Sequence, residues 1–219
     1  MRSLPLPVTL AARLLPVAVL ACVGWAWSTG PMAEPAAKDH DGASPQSSAP
    51  QSPSASVAAK TYPEPPVPCD AVDAKTVGSL VPGAKPAGKE LSATDESVRR
   101  GCSWSALKGF DYRWLDVSFE MKGSDALAKE AFTSNANGEA RSGLGDEARL
   151  TTGLTTKDKQ ETREAVVTVR KANALVTVTY NGSDFESKGA PSADTVRKGA
   201  LEAAKDALGA LESGGGAAS

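Results

Sequence analysis

Two adjacent alternating runs constrain this chain most. Ala165, Val167 and Val169 share one side of a period-two pattern, and Ala174, Val176, Val178 and Tyr180 share another. Such alternation belongs to strands with one buried face. Placing both apolar sets on the same side of a hairpin sets Val169 opposite Val176 and leaves Ala172-Asn173 as a two-residue turn. Asparagine suits the left-handed backbone that such a turn demands. Any fold for this chain must accommodate an antiparallel hairpin here.

The same pattern recurs at Tyr112–Met121, where Leu115, Val117, Phe119 and Met121 alternate with Asp116, Ser118 and Glu120. Shorter strands are expected around Arg100–Ala106 and after Gly143-Leu144-Gly145-Asp146-Glu147-Ala148, up to Thr152. Helical spacing predicts three helices. The first covers Asp70–Leu80 with Asp70 as its cap, and the second covers roughly 125–133 behind Ser124, with Leu127, Ala131 and Phe132 on one side. The third runs from Ala193 to Leu211 behind Ser192, with Val196, Ala200, Ala204, Ala207, Leu208 and Leu211 as its stripe. Gly199 and Gly209 would each cost about 1 kcal/mol inside it. A stripe this small implies close approach to a flat partner. The element order α-β-β-α-β-β-β-α predicts an α+β domain: an antiparallel β-sheet of about five strands with helices packed against it.

Composition matters at the two ends. Arg2 and Arg13 precede an uncharged run, residues 14–27, which is how an export signal reads. Three outcomes stay open: a lipoprotein signal in which Val19-Leu20-Ala21-Cys22 resembles a lipobox and Cys22 carries the lipid, an uncleaved anchor helix, or cleavage near Ala26-Trp27-Ser28 that releases a secreted protein. Residues 31–66 are rich in Ala, Ser and Pro, too poor in apolar surface to offset their ordering entropy, and read as a disordered tether. The chain thus divides into 1–30 as signal or anchor, 31–66 as tether, 67–211 as the globular domain and 212–219 as a flexible tail. Its 24 basic and 26 acidic residues give −2; without residues 1–30, which hold two arginines and no acids, the balance is 22 against 26, or −4. That offers no footprint for nucleic acid.

Cys22 lies in the targeting segment, which leaves Cys69 and Cys102 as an even pair in an oxidising compartment. A disulfide between them would close a loop of about 34 residues, worth roughly 3–4 kcal/mol by chain entropy. The alternative is two buried free thiols. Pro68-Cys69-Asp70, Cys102-Ser103-Trp104 and Gly143-Leu144-Gly145-Asp146 with Ala148 together resemble the pattern of an actinobacterial envelope lipoprotein family of uncharacterised function. The resemblance spans roughly 67–210 and implies export, a Cys69–Cys102 disulfide and a compact α+β domain. It implies no activity.

Candidate chemistry is sparse. The one histidine, His40, falls in the tether, where nothing can hold and aim it. Asp146 and Glu147 are neighbours that on a strand would point to opposite faces, and Gly143, Gly145 and Asp146 read as a structural turn. No calcium-loop or dinucleotide pattern is present, so no metal and no cofactor is expected. Trp104, Tyr112 and Trp114 are the candidate ligand or partner surface. Arg99, Arg100 and Arg113 read as solvated strand charges. The expected protein is no enzyme. It is a membrane-tethered extracytoplasmic protein that binds an envelope protein, glycan or lipid, or alternatively a small-ligand carrier or sensor with an apolar cleft near Trp104 and Trp114.

Overall fold

Hairpin pairing organises the molecule, as the alternation requires. The computed structural model describes residues 61–214. The targeting segment with Cys22, the tether residue His40 and the last five residues lie outside the described residues. Seven strands form one sheet: β1 (Lys89–Leu91), β2 (Arg99–Lys108), β3 (Asp111–Met121), β4 (Glu139–Ala140), β5 (Glu147–Lys157), β6 (Gln160–Lys171) and β7 (Ala174–Asp184). Their order is β1-β2-β3-β7-β6-β5-β4, and every neighbouring pair is antiparallel. Three helices pack on it: α1 (Ala74–Leu80), α2 (Asp125–Asn135) and α3 (Ala193–Gly214). The α+β class is as expected. The strand number is seven rather than about five, because β1 and β4 have only three and two residues and show no period.

The β6–β7 register is the one expected, with Val169 opposite Val176 and Lys171 opposite Ala174. The turn differs in detail. Ala172, not Asn173, takes the left-handed backbone, at φ 47°. Asn173 is buried and spends its side chain elsewhere: its Oδ1 accepts from the Tyr62 amide at 2.8 Å. Its Nδ2 donates to the carbonyls of Tyr62 and Lys122, at 2.9 and 3.0 Å. This corrects the domain boundary. Tyr62 belongs to the core and Pro65 is buried, so the folded part starts before residue 67.

One sheet face carries Leu115, Val117, Phe119, Val167, Val169, Val176 and Val178, all fully buried under α3 and α1. Ser192 caps α3 through the Thr195 amide, as expected. The helix continues past Leu211 to Gly214, so residues 212–214 are helical and not tail; Glu212 pairs with Lys171 at 3.3 Å and the Ser213 hydroxyl donates to the Gly209 carbonyl. Gly199 is more than a tolerated weakness. A Cβ there would lie 2.6 Å from the Tyr180 ring, whose hydroxyl donates to the Leu80 carbonyl at 2.7 Å and so ties sheet, α3 and α1 together.

Two helix details depart from expectation. Asp70 does not cap α1: it sits in a 3-10 turn, Pro68–Asp70, held against β2 by the neighbouring disulfide, and Asp73 caps the helix by accepting from the Lys75 amide. In α2, Ser124 caps as expected, but Leu127 is 52% exposed. The buried stripe is Ala128, Phe132 and Ala136, with Phe132 and Ala136 packed on Leu175, on the face of the sheet away from α3.

Candidate functional site

Strand parity decides which aromatic side chains can act together. Across β2 and β3, Trp104 faces Leu115 and Ser105 faces Trp114. Adjacent positions in a strand project to opposite faces, so the two tryptophans lie on opposite sides of the sheet. Trp104 joins the core at 1% exposure, and its indole N–H donates to the Pro86 carbonyl at 2.8 Å. Cys102 lies on the same side, bonded to Cys69 with 5.1 Å between Cα atoms. Gly88, at φ 59°, closes over both: a Cβ there would come within 2.6 Å of the Cys102 sulfur and of the Trp104 ring. The cleft expected near Trp104 and Trp114 therefore does not form, because one tryptophan is sealed in and the other faces out.

The outward face gathers different residues. Trp114 is 39% exposed, and its indole N–H donates to Ser103 Oγ and Asp116 Oδ1, both at 2.7 Å. Those two acceptors fix the plane of the ring. Moving across the sheet from Trp114, the next residues in the row are Asn181 and then Glu164. Asn181 is 7% exposed, and its side-chain amide makes no hydrogen bond among the described residues, which leaves its polar atoms to the small part of the residue that meets solvent. One row along, Tyr112 faces Ser183 and leans on Phe185 with ring centres 6.1 Å apart, while Ser183 and Thr162 share a 2.8 Å hydroxyl contact. Asp116 and Thr179 form the row on the other side. Sequence reasoning placed Tyr112 and Trp114 on this face but missed Asn181, Ser183 and Thr162, which look like an ordinary polar parity until β3 is laid beside β7.

Helix α2 shields only the far end of the face. Between it and the sheet runs a hollow of about 350 Å³ lined by Phe132, Asn135, Val166 and Thr177. Ser118, Glu120 and Arg99 line both that hollow and a neighbouring one of about 520 Å³ under the segment Leu91–Asp95. Arg100 pairs with Glu90 at 2.8 Å and Arg113 with Asp111 at 3.2 Å, so these two cations are engaged locally.

The Gly143–Ala148 segment works as a turn. Gly143 and Gly145 take φ 78° and 56°, and a Cβ on Gly145 would lie 2.5 Å from the Arg170 carbonyl. Asp146 accepts from the Ala172 amide at 2.7 Å, which ties this turn to the β6–β7 turn. Asp146 and Glu147 do not diverge as neighbours on a strand would, since β5 begins only at Glu147. Both reach Arg170, at 3.3 and 2.7 Å, and Asp125 joins them at 2.5 Å. Burial opposes the charge of Arg170, but the Glu147 hydrogen bond and the nearby carboxylates outweigh it and raise its pKa. The three acids converge on one guanidinium that holds α2 to the sheet.

No protein-family model matches the chain, and no curated protein matches it. A solved structure to which it is similar is the extracellular domain of PknH from Mycobacterium tuberculosis, with 12% identity and a TM-score of 0.30. The match covers 52% of this chain and 64% of that one. The disulfide suggests an oxidising, extracytoplasmic compartment on its own chemistry.

Proposed function

We propose that this chain is a non-catalytic, membrane-tethered protein of the cell envelope that binds a glycan on the sheet face around Trp114. The observation that carries this is the pairing of an exposed, orientation-locked indole with the unpartnered amide of Asn181 beside it. A sugar ring presents an apolar C–H face and a rim of hydroxyls, each able to donate and accept. A fixed aromatic plate matches the first, and Asn181, Glu164, Ser183 and Thr162 match the second. A lipid chain would leave those polar groups without partners, which costs affinity. The non-catalytic reading rests on the one histidine falling in the tether sequence and on the engagement of the Asp125, Asp146 and Glu147 carboxylates by Arg170. Tethering rests on the uncharged N-terminal run with Cys22.

Co-sedimentation with isolated envelope polysaccharide tests the binding. Trp114→Ala should weaken retention by about tenfold or more, the loss typical of a central aromatic anchor, while unfolding like the wild type. Retention equal to wild type would remove this face from consideration. Mass spectrometry of the mature chain taken from membranes tests the tether; a cleaved chain with no lipid would overturn that part alone.

A further inference from the structure

The two edges of the sheet are finished differently. On one side β1 pairs with Gly101–Ser103, and the loop before it passes the rest of β2, with Pro86 accepting from the Trp104 indole and Gly83 lying beside Ala106. On the other side β4 pairs only with Arg149 and Leu150. The Arg141 amide donates to the Ala148 carbonyl at 2.9 Å, so even-numbered residues of β5 direct their backbone groups away from β6. The far end agrees: Asp158 and Lys159 form a two-residue turn at φ 51° and 67°, with Lys157 and Gln160 closing the hairpin on each other. Thr152, Leu154 and Thr156 therefore present N–H and C=O groups to an edge with no ladder partner among the described residues.

Exposed edges are normally blunted by proline, charge or a covering segment. This one has no proline and no charge from Thr151 to Thr156, and Leu154 at the midpoint of the free stretch is 47% exposed. We infer that β5 pairs antiparallel with β5 of a second copy of this chain, about a two-fold axis at Leu154. The stretch is its own complement: turned end for end, Thr152 falls opposite Thr156, Leu154 opposite Leu154, and Gly153 opposite Thr155. Three facing pairs exchange two bonds each, about six in all, and every outward backbone group of the stretch is met. The two Leu154 side chains lie on the same face of the joined sheet and cover each other, and threonine pairs flank them. Both ends limit the register. Gly138 abuts β5 so closely that a Cβ on it would lie 2.2 Å from the Leu150 carbonyl, and the chain leaves the edge at Asp158. Two seven-stranded sheets then merge into one across an interface that uses the same residues on both copies.

Sedimentation velocity of the full chain in detergent, over a range of concentrations, tests this with charge reversal. Leu154→Lys and Leu154→Glu each place like charges across the axis and should each weaken self-association by about tenfold or more. Mixing the two variants, one carrying a mass tag, should restore a dimer containing one of each. A wild type that stays monomeric throughout, single variants that associate like the wild type, or a mixture that does not recover would each overturn the inference. A monomeric wild type that instead captures an extended peptide on β5 would assign the edge to a foreign strand.

Discussion

Replace Asn173 with alanine and three hydrogen bonds go at once: the buried pair to the Tyr62 amide and carbonyl, and the half-buried one to the Lys122 carbonyl. At about 1 kcal/mol net for each bond, the variant should lose about 3 kcal/mol. The chain can limit that loss by letting Tyr62 peel away and rehydrate, but it then forfeits the burial of the ring, worth about 1.5–3 kcal/mol. Either route gives a similar total, which makes the figure robust to the response chosen. Urea denaturation of the wild type, Asn173→Ala, Tyr62→Ala and the double variant measures both the cost and the coupling. The two residues hold one strap, so the double variant should lose about 1–2 kcal/mol less than the sum of the singles. Hydrogen exchange at the Tyr62 amide should rise sharply in Asn173→Ala. Asn137→Ala serves as control: its one contact is exposed, at 3.4 Å, and its effect should stay within about 0.5 kcal/mol. A loss below about 0.5 kcal/mol in Asn173→Ala, with the Tyr62 amide still protected, would refute the strap.

Reducing the Cys69–Cys102 bond, which joins residues 33 apart, should lower stability by about 3–4 kcal/mol; an unchanged denaturation midpoint under reductant would contradict this. Ala172→Gly should raise stability by about 0.5 kcal/mol, since relief of the left-handed strain exceeds the added freedom of the unfolded chain, and a loss above about 1 kcal/mol by urea melt would count against it. Gly145→Ala must fit a methyl 2.5 Å from the Arg170 carbonyl at positive φ, so it should cost at least about 2 kcal/mol in the same assay. The hydrogen bond and charge of Arg197, with Arg141 adding to them, hold the Glu139 carboxyl below its ordinary range. A depressed carboxylate adds stability above its unfolded pKa and loses it as pH falls through the folded one. Thermal unfolding of wild type and Glu139→Gln should therefore differ at neutral pH and converge in acid; a gap that widens on acidification would reverse the sign.

How much of this could be read from the sequence depends on whether a signal is local. The β6–β7 register was legible to the residue because both runs alternate over many positions and only two residues separate them. β1 and β4 were not, since three residues beside a turn and two beside a helix end carry no period. Tyr62 was hidden for another reason. Averaged over residues 31–66, composition says tether, and the single aromatic at its end is ordered by the core and by Asn173, 111 residues away. The same asparagine looked like a turn residue because turn chemistry is local and its actual partners are not.

The candidate face shows the limit most clearly. That Trp114 points away from Leu115 follows from alternation alone, and that Trp104 points inward follows once Cys102, two positions earlier, is taken as the buried partner of Cys69. What makes Trp114 more than an exposed ring is Asn181, and that neighbour comes from β3 lying against β7, with β4, β5 and β6 inserted in the chain between them. Within β7 itself, Thr177, Thr179, Asn181 and Ser183 read as the wet side of a strand. Set beside β3, they become the floor between an aromatic plate and a carboxylate. Here local pattern tells which side chains share a face, while the ligand a face can hold is set by strand order, which no short window of residues contains.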